Sequence, residues 1–535
     1  MSFKRARAAE QSRGSSFAVP DACQDPLIDE GSNIEAAKKF RRLLIEKYLD
    51  GSATATDTCQ LAYWHNESGG GGAEDLALHP RTAARHGAEH LRCHLAKEFP
   101  EPIVEMVSVP MYLKKSVGRV IVQHPTRVTS AMIRKELIDL GILGSESPAA
   151  VQDFLKSDEE FGDLYERLSE LCGCGCSGWC SVFPLLEAFR QDLSAKHADL
   201  RLPIIDFKAD WAALVEIAAL RTWSHSLHAC PCCLVKKSEM DNLEGFTART
   251  CAFPLFDEKK YEECPFECLF FVGGQHARVL HISPLLQIPG VSLDSWCIDI
   301  LHSWHYGPLS TYLTFVLRAL LSTDIYKPGN TVILDKEEND KLCLMALKAE
   351  MWVFYKHRRA TDPEWSKKGS EVWNLTLTML AEKALKCKAA ETHGLLRFAV
   401  ETLEKYKTVL QNCEQSHMFD LLLRAGRAAE AFDRVMASHT RVFPTDACDS
   451  LHENYHRFIV LCSRAGVPLL PKGHLMFHLV AQANVRGNPR CYSTYIDESY
   501  NGAIAKVCRS VHRRNWALAV YRKLEMLESM LSEEF

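Results

Sequence analysis

The chain contains no apolar run long enough to cross a membrane, which takes roughly 18 uninterrupted residues. Its best candidate, residues 312–321, is short and is interrupted by Arg318. The N-terminal segment Met1-Ser-Phe-Lys-Arg-Ala-Arg has no apolar core of the kind found in secretory signals. These two absences predict a soluble intracellular protein, nuclear or cytoplasmic, without a membrane partner.

An excess of positive charge is also missing. The chain has 63 Lys and Arg against 68 Asp and Glu, which gives a formal net charge of -5. It therefore has no overall electrostatic attraction for nucleic acid, and a DNA contact would require a local basic patch. The candidate patch lies near the C-terminus and consists of Lys506, Arg509, Arg513 and Arg514. An ordinary solvated face explains these four residues equally well.

No internal repeat of solenoid period is present, although a long stretch is helical by pattern. The length predicts about two to four domains. The hydrophobic patterning predicts a disordered arm at 1–34, a mainly helical region with a short hairpin at 35–171, a Cys-rich α/β segment at 172–299, an all-helical segment at 300–470 and a C-terminal part at 471–535. The predicted class is α+β and mostly helical.

Cysteine is plentiful, with 21 residues, and without a secretory signal the thiols are expected to be reduced and available to metal. Structural zinc takes four soft ligands, commonly including a Cys-x-x-Cys pair, and Cys230 and Cys233 have this spacing. A zinc site would combine them with two thiols of an upstream cluster or with His302. That cluster comprises Cys172, Cys174, Cys176 and Cys180. The alternative is that these cysteines are small buried hydrophobes.

One acidic residue stands at a chemically informative position. Asp210 follows the short apolar segment 202–207 and precedes the helical pattern of 211–220. Carboxylates at the end of a strand are rigidly held and are typical ligands of Mg²⁺ or Mn²⁺ in enzymes of phosphoryl transfer. The alternative is structural, since an aspartate before a helix is a common N-cap.

Five short motifs follow one another in a particular order. They are Asp210-Trp-Ala-Ala213, Trp223-Ser-His-Ser226, Cys230-Pro-Cys-Cys233, Asp299-Ile-Leu-His302, and Glu498 ahead of the basic segment. This order resembles that of the CACTA/En-Spm-type DDE transposases, and the resemblance covers residues 172–525.

The resemblance implies an RNase H-like core that a large all-helical insertion interrupts. It implies metal-dependent cleavage and transfer of DNA strands with Mg²⁺ or Mn²⁺, transposon ends as the DNA partner, and a homo-oligomer. Asp210 would be the second catalytic aspartate and Glu498 the final glutamate, with Asp206, Asp299 and His302 as further candidates for the site. The helical period does not distinguish Glu498 from its neighbour Asp497, and the family's glutamate favours Glu498.

The sequence also departs from the family pattern. Ala212 stands where the family usually has proline, and no apolar strand ending in Asp-Gly precedes Cys172. Without the first aspartate the site lacks one of three metal-holding carboxylates, which predicts a degenerate or truncated copy with an incomplete catalytic site. Three alternatives stay open: an inactive DNA- or protein-binding module, a zinc-stabilised helical scaffold, and an unrelated nuclease that uses Asp206, Asp210 and Glu498.

Overall fold

The computed structural model describes most of the chain from residue 30 onward. The described residues are 30–99, 102, 104–113, 119–127, 168–170, 179–195, 206–218, 220, 223–224, 229–243, 251, 253–255, 267–272, 275–280, 282–328, 335–362, 370–381, 383–511 and 516–532. Predictions for residues 1–29, Cys172, Cys174, Cys176, Arg513 and Arg514 lie outside them. Of Cys180, the backbone alone is described, within a helix.

The helices are α1 (Glu30–Leu49), α2 (Ala55–Glu67), α3 (Pro80–Glu98), α4 (Trp179–Ala195), α5 (Trp211–Ala218), α6 (Pro308–Ser322), α7 (Lys336–Thr361), α8 (Leu377–Leu380), α9 (Ala389–Lys405), α10 (Lys407–Gln411), α11 (Ser416–Ala437), α12 (Thr445–Arg464), α13 (Pro471–Arg486), α14 (Tyr495–Ser510) and α15 (Trp516–Ser532). The strands are β1 (Val104–Leu113), β2 (Arg119–Arg127), β3 (Leu168–Glu170), β4 (Phe207–Ala209), β5 (Glu267–Val272), β6 (Gln275–Leu280) and β7 (Trp296–Ile298). The protein is therefore mostly helical with short strands, as the sequence predicts.

The first of two compact units contains Met1–Glu101, Ala503–Val511 and Val520–Phe535. Its core packs apolar residues of α1, α2 and α3 against Met526 and Met530 of α15. Helix α2 starts with a capping box, in which Thr54 and Asp57 each bond the other's backbone N–H. Helix α1 begins at Glu30, inside the arm predicted for 1–34.

The second unit contains Pro102–Gly502 and His512–Ala519. Its core is one large cluster centred on helix α6, which buries ten of its fifteen residues. A helix that is apolar on nearly all faces belongs in the interior of a domain. Between Leu301 and Arg464, the described residues form helices and no strand.

The strands of the second unit form three small sheets in the described residues. β2, β1 and β3 pair antiparallel in that order, within the region for which the sequence predicts a hairpin, and β5 pairs antiparallel with β6. β4 and β7 pair in parallel, with Phe207 opposite Trp296 and Ala209 opposite Ile298. The parallel pair brings two strand ends, and hence Asp210 and Asp299, to the same edge.

The C-terminal segment 471–535, predicted to be one part of a core, is divided between the two units. Helix α14 leaves the second unit after Gly502, and most of α15 belongs to the first. The reason is the apolar face of α15, whose Met526 and Met530 find their core among the N-terminal helices. No helix in the described ranges is both long and apolar enough to cross a membrane.

Candidate metal centre and carboxylate site

Asp210 acts as a helix cap in this structure. Its Oδ1 accepts a hydrogen bond of 2.6 Å from the backbone N–H of Ala213, and helix α5 starts at the next residue, Trp211. This is the N-cap arrangement, in which a side-chain oxygen satisfies one of the free N–H groups of the first turn. One oxygen of the predicted catalytic carboxylate is therefore engaged by the fold.

Asp299 occupies the corresponding position after β7, and it is almost fully buried, with 1% of its side chain exposed. Its Oδ1 accepts a hydrogen bond of 2.8 Å from the N–H of Thr494, and its Oδ2 accepts one of 2.8 Å from the N–H of His302. Burial raises the pKa of Asp299, but the hydrogen bonds from His302 and Thr494 outweigh it, and the net effect is a lowered pKa. Asp299 is thus a buried carboxylate held in its charged form.

His302 lies between Asp299 and Glu498. Its Nδ1 is 2.7 Å from Asp299 Oδ2, and its Nε2 is 3.2 Å from Glu498 Oε1. The imidazole comes from a single turn of π-helix, Leu301–His305, which follows directly after β7. The neighbouring Asp497 points to Lys208 instead, at 2.7 Å. Of the two acidic residues that the helical period could not distinguish, Glu498 is the one that faces His302.

One basic residue lies beside this edge of β4 and β7, and a second lies at the opposite end of β4. Burial lowers the pKa of Lys472 on α13, while the charges of Asp210 and Asp299 act to raise it, so the ammonium group lies within electrostatic range of both. Asp206 is exposed at the opposite end of β4, where Arg486 binds it at 2.7 Å. Because strand β4 separates Asp206 from Asp210, the two carboxylates belong to different ends of the strand.

The chemistry available here follows from these contacts. Two-metal phosphoryl transfer needs several carboxylate oxygens free to bind cations at one point. Within the described ranges, no three carboxylates come close enough together to hold an ion. Instead, the histidine joins the buried aspartate to the glutamate, and a lysine supplies positive charge beside the two aspartates. The arrangement suits a hydrogen-bonded core better than a divalent cation.

A different set of residues does form a compact cluster of metal-ligand type. One ligand atom from each of Cys230, Cys233, His474 and His478 lies within 4.8 Å of all the others, and all four residues are buried. Cys233 Sγ is 3.3 Å from His474 Nε2, which is 3.2 Å from His478 Nε2. Two thiols and two imidazoles are a common ligand set for structural zinc.

Local structure explains how the four ligands meet. The backbone N–H of Cys232 donates to Cys230 Sγ at 3.3 Å, which curls the Cys-x-x-Cys loop around the thiols. His474 and His478 are one helical turn apart on α13 and therefore share a face. Cys251 lies against Cys233 from outside the cluster.

The electrostatics of this cluster favour the neutral forms of its thiols and imidazoles. Burial lowers the pKa of His474 to about 4, and burial together with the neighbouring His474 also lowers that of His478. Burial also raises the pKa of the Cys230 thiol well above its usual range. Neutral imidazole is the form that binds zinc, whereas both thiols must lose a proton. Binding a zinc ion here would therefore release protons to solvent.

The sequence contains a signal for the second pair of ligands, although His474 and His478 are missing from the predicted set. Their spacing is His-x-x-x-His, which places two imidazoles on one side of a helix. Cys233 and His474 are 241 positions apart in the sequence, so the spacing does not reveal that the two pairs meet. His302, proposed above as another ligand, is engaged by Asp299 and Glu498. The predicted DNA contacts Lys506 and Arg509 are exposed on α14.

Comparisons of this chain with protein-family models, with curated proteins and with solved structures found no match.

Proposed function

We propose that this chain is a transposable-element-derived protein, related to the CACTA/En-Spm-type DDE transposases, that binds DNA and has little or no strand-cleaving activity. The observation that carries the proposal is the meeting of Asp299, His302 and Glu498 at the carboxyl end of two parallel strands. Two of the motifs that the resemblance includes, far apart in sequence, meet at this point. Ligand sites in parallel sheets occur at this edge.

The contacts at this edge also support the loss of activity. A carboxylate that binds Mg²⁺ or Mn²⁺ needs free oxygens, but those of Asp299 accept bonds from Thr494 and His302. The positive charge of Lys472 opposes the entry of a divalent cation by simple Coulomb repulsion. The predicted first aspartate would have to come from outside the described residues. In this proposal the RNase H-like core persists as a scaffold.

The four-ligand cluster would hold structural Zn²⁺ in this scaffold. It joins the Cys-x-x-Cys loop that follows α5 to helix α13, and two of its members, Cys230 and Cys233, are the pair that the resemblance includes. Zinc at such a closed site contributes folding free energy and leaves no position open for substrate. The metal would therefore stabilise the protein without taking part in a reaction.

DNA binding is tested by fluorescence anisotropy of a labelled mixed-sequence duplex over a range of salt concentrations. We expect binding that weakens as the salt concentration rises. In the double variant Lys506→Ala/Arg509→Ala, the slope of log K against log salt concentration should become less steep by the contribution of about two phosphate contacts. The matched control is Lys407→Ala/Arg464→Ala, which removes two exposed charges elsewhere. Absence of binding at low salt would reject the DNA partner.

Strand cleavage is tested separately with supercoiled plasmid in the presence of Mg²⁺ or Mn²⁺. We expect no nicking above background, and no difference between the wild type and Asp210→Asn. Cleavage that requires the divalent ion and disappears in Asp210→Asn would contradict the proposal, because it would mean that the missing carboxylate exists.

The second candidate function is a zinc-stabilised scaffold for another protein. The specific observation in its favour is the same buried Cys230, Cys233, His474 and His478 cluster, which requires no nucleic acid. Zinc in the purified protein together with no affinity for DNA would favour this alternative.

A further inference from the structure

A second cluster of metal-ligand type lies apart from the two sites described above, and it begins at the same π-helix. The turn Leu301–His305 directs His302 towards Asp299 but turns His305 into the interior, where 6% of it is exposed. There the ring of His305 faces that of His393 on α9, with ring centroids 4.7 Å apart. A π-turn inserts an extra residue into a helix and often occurs where side chains must be redirected at a functional site.

Asp433 on α11 is the third member of this cluster. One ligand atom from each of His305, His393 and Asp433 lies within 4.8 Å of the other two. His393 Nε2 is 2.9 Å from Asp433 Oδ2. Two imidazoles and one carboxylate form the ligand set of metal sites that keep coordination positions open for water or substrate.

Neighbouring side chains hold two of these ligands in place. The indole N–H of Trp304 donates to Asp433 Oδ1 at 3.0 Å, and the hydroxyl of Tyr495 is 2.8 Å from His305 Nδ1. These contacts engage Asp433 Oδ1 and His305 Nδ1, and a bound ion would take the place of the contact between Asp433 Oδ2 and His393 Nε2. Hydrogen bonds of this kind orient metal ligands in proteins and raise their affinity for the metal.

The cluster opens into a cleft of about 760 Å³. Five basic residues and three carboxylates line it, and three of the basic residues are paired with carboxylates: Lys208 with Asp497, Arg358 with Asp362 and Arg397 with Glu401. The basic residues are Lys208, Arg358, Arg397, Arg434 and Arg490. Arg434 lies near the carboxylate of Glu430, whereas Arg490 is exposed and forms no salt bridge within the described ranges, so Arg490 is the better placed of the two for an anion. Arginine in a concave site matches the geometry of a phosphate group.

We propose that His305, His393 and Asp433 bind a divalent transition-metal ion such as Zn²⁺, and that its open coordination position binds a phosphate group held by the arginines of the cleft. The metal is distinct from the one assigned to the Cys230 cluster, since the two ligand sets share no residue. The proposed metal and phosphate site does not depend on DNA cleavage or on the relationship to transposases.

The metal is tested by titrating metal-free full-length protein with Zn²⁺ against a chromophoric chelator. We expect His393→Ala to bind one metal equivalent fewer than the wild type, and Asp433→Asn to do the same. The control is His417→Ala, which removes an exposed histidine from the same helix as Asp433. We expect Tyr495→Phe to weaken this equivalent by about 10-fold or more, because His305 loses its orienting contact.

Cobalt distinguishes this site from the thiol cluster. Co²⁺ bound by Cys230 and Cys233 gives sulfur-to-cobalt charge-transfer absorption, whereas the site at His393 contains no sulfur. In His393→Ala, the charge-transfer bands should persist while one equivalent is lost. If the thiol cluster binds no metal, those bands are absent from the wild type, and His393→Ala must still lose its equivalent. An unchanged stoichiometry in both His393→Ala and Asp433→Asn would overturn the proposal.

Phosphate binding is measured by calorimetry with inorganic phosphate and, in parallel, with a short oligothymidylate. With the same zinc added to each protein, either probe should bind the wild type at least tenfold more tightly than His393→Ala or Arg490→Ala. A response to inorganic phosphate alone identifies a free phosphate or phosphomonoester as the ligand, and a response to the oligonucleotide identifies nucleic acid. Equal affinity of the wild type and His393→Ala for both probes would refute the open coordination position.

Discussion

If the thiol–imidazole cluster holds zinc as proposed, removing the metal should destabilise the second unit measurably. The perturbation is His478→Ala, which leaves three of the four ligands and affects a residue with 4% of its surface exposed. Because the cluster joins the Cys-x-x-Cys loop to α13 within the main hydrophobic core, a loss of metal there should loosen contacts between distant segments. The effect should appear in global stability and not only in a local loop.

The magnitude follows from linkage between binding and folding. An apparent binding free energy of about 10 kcal/mol for a structural zinc ion corresponds to a dissociation constant of about 50 nM. At about 10 μM free zinc, which is about 200 times that constant, zinc would stabilise the folded state by about 3 kcal/mol. In a unit of this size, that difference lowers the Tm by about 4 °C.

The assay combines elemental analysis with thermal unfolding of the full chain, before and after treatment with chelator. We expect the wild type to carry zinc and its Tm to fall by about 4 °C on chelation, and we expect added zinc to reverse this fall. His478→Ala should resemble the chelated wild type. The matched control is Cys232→Ser, which changes the cysteine that lies inside the Cys-Pro-Cys-Cys segment but outside the four-ligand cluster. An unchanged Tm on chelation, or equal zinc in His478→Ala and the wild type, would refute the reasoning.

Three further predictions concern other parts of the protein. Lys472→Met removes the positive charge beside Asp210 and Asp299, so it should raise the affinity for Mn²⁺, measured by electron paramagnetic resonance; an equal or lower affinity would contradict this electrostatic account. Burial lowers the pKa of Lys523 to about 8, whereas its value in the unfolded chain is about 10.4. Between these two pH values the unfolded chain binds more protons than the folded one. The stability of the first unit should therefore rise with pH by up to about 3 kcal/mol. Denaturation at a series of pH values tests this, and Lys523→Met should abolish the rise. Gly426→Ala should cost about 1–3 kcal/mol, because a methyl group there would lie 2.6 Å from Val400 Cγ2 and against the Tyr312 hydroxyl. Gly502→Ala, where a Cβ meets nothing within 4 Å, is its control, and an equal loss of stability in both would contradict the packing argument.

Local sequence alone determined several features of the carboxylate site. A short apolar segment at 202–207, followed by an acidic residue and a helical pattern, predicted a strand, Asp210 and α5, because strand and helix preferences and capping act over a few residues. The observed strand β4, Phe207–Ala209, overlaps that segment at Phe207, and residues 202–205 lie outside the described ones. The same local reasoning gave Asp210 two alternative roles, and only the distance from Ala213 N–H to its carboxylate assigned it to the cap. The helical character of 301–464 likewise follows from periodicity along the chain.

The tertiary structure decided which of these residues meet. His474 and His478 reach Cys230 and Cys233, and His393 and Asp433 reach His305, because helices far apart in sequence bury their apolar faces in one core. Apolar burial is non-directional and depends on the area removed from water, so the residue types alone do not specify which faces come together. Sequence spacing therefore predicted the Cys-x-x-Cys pair, whose ligands are local, and missed the histidines, whose positions depend on how α13, α9 and α11 pack.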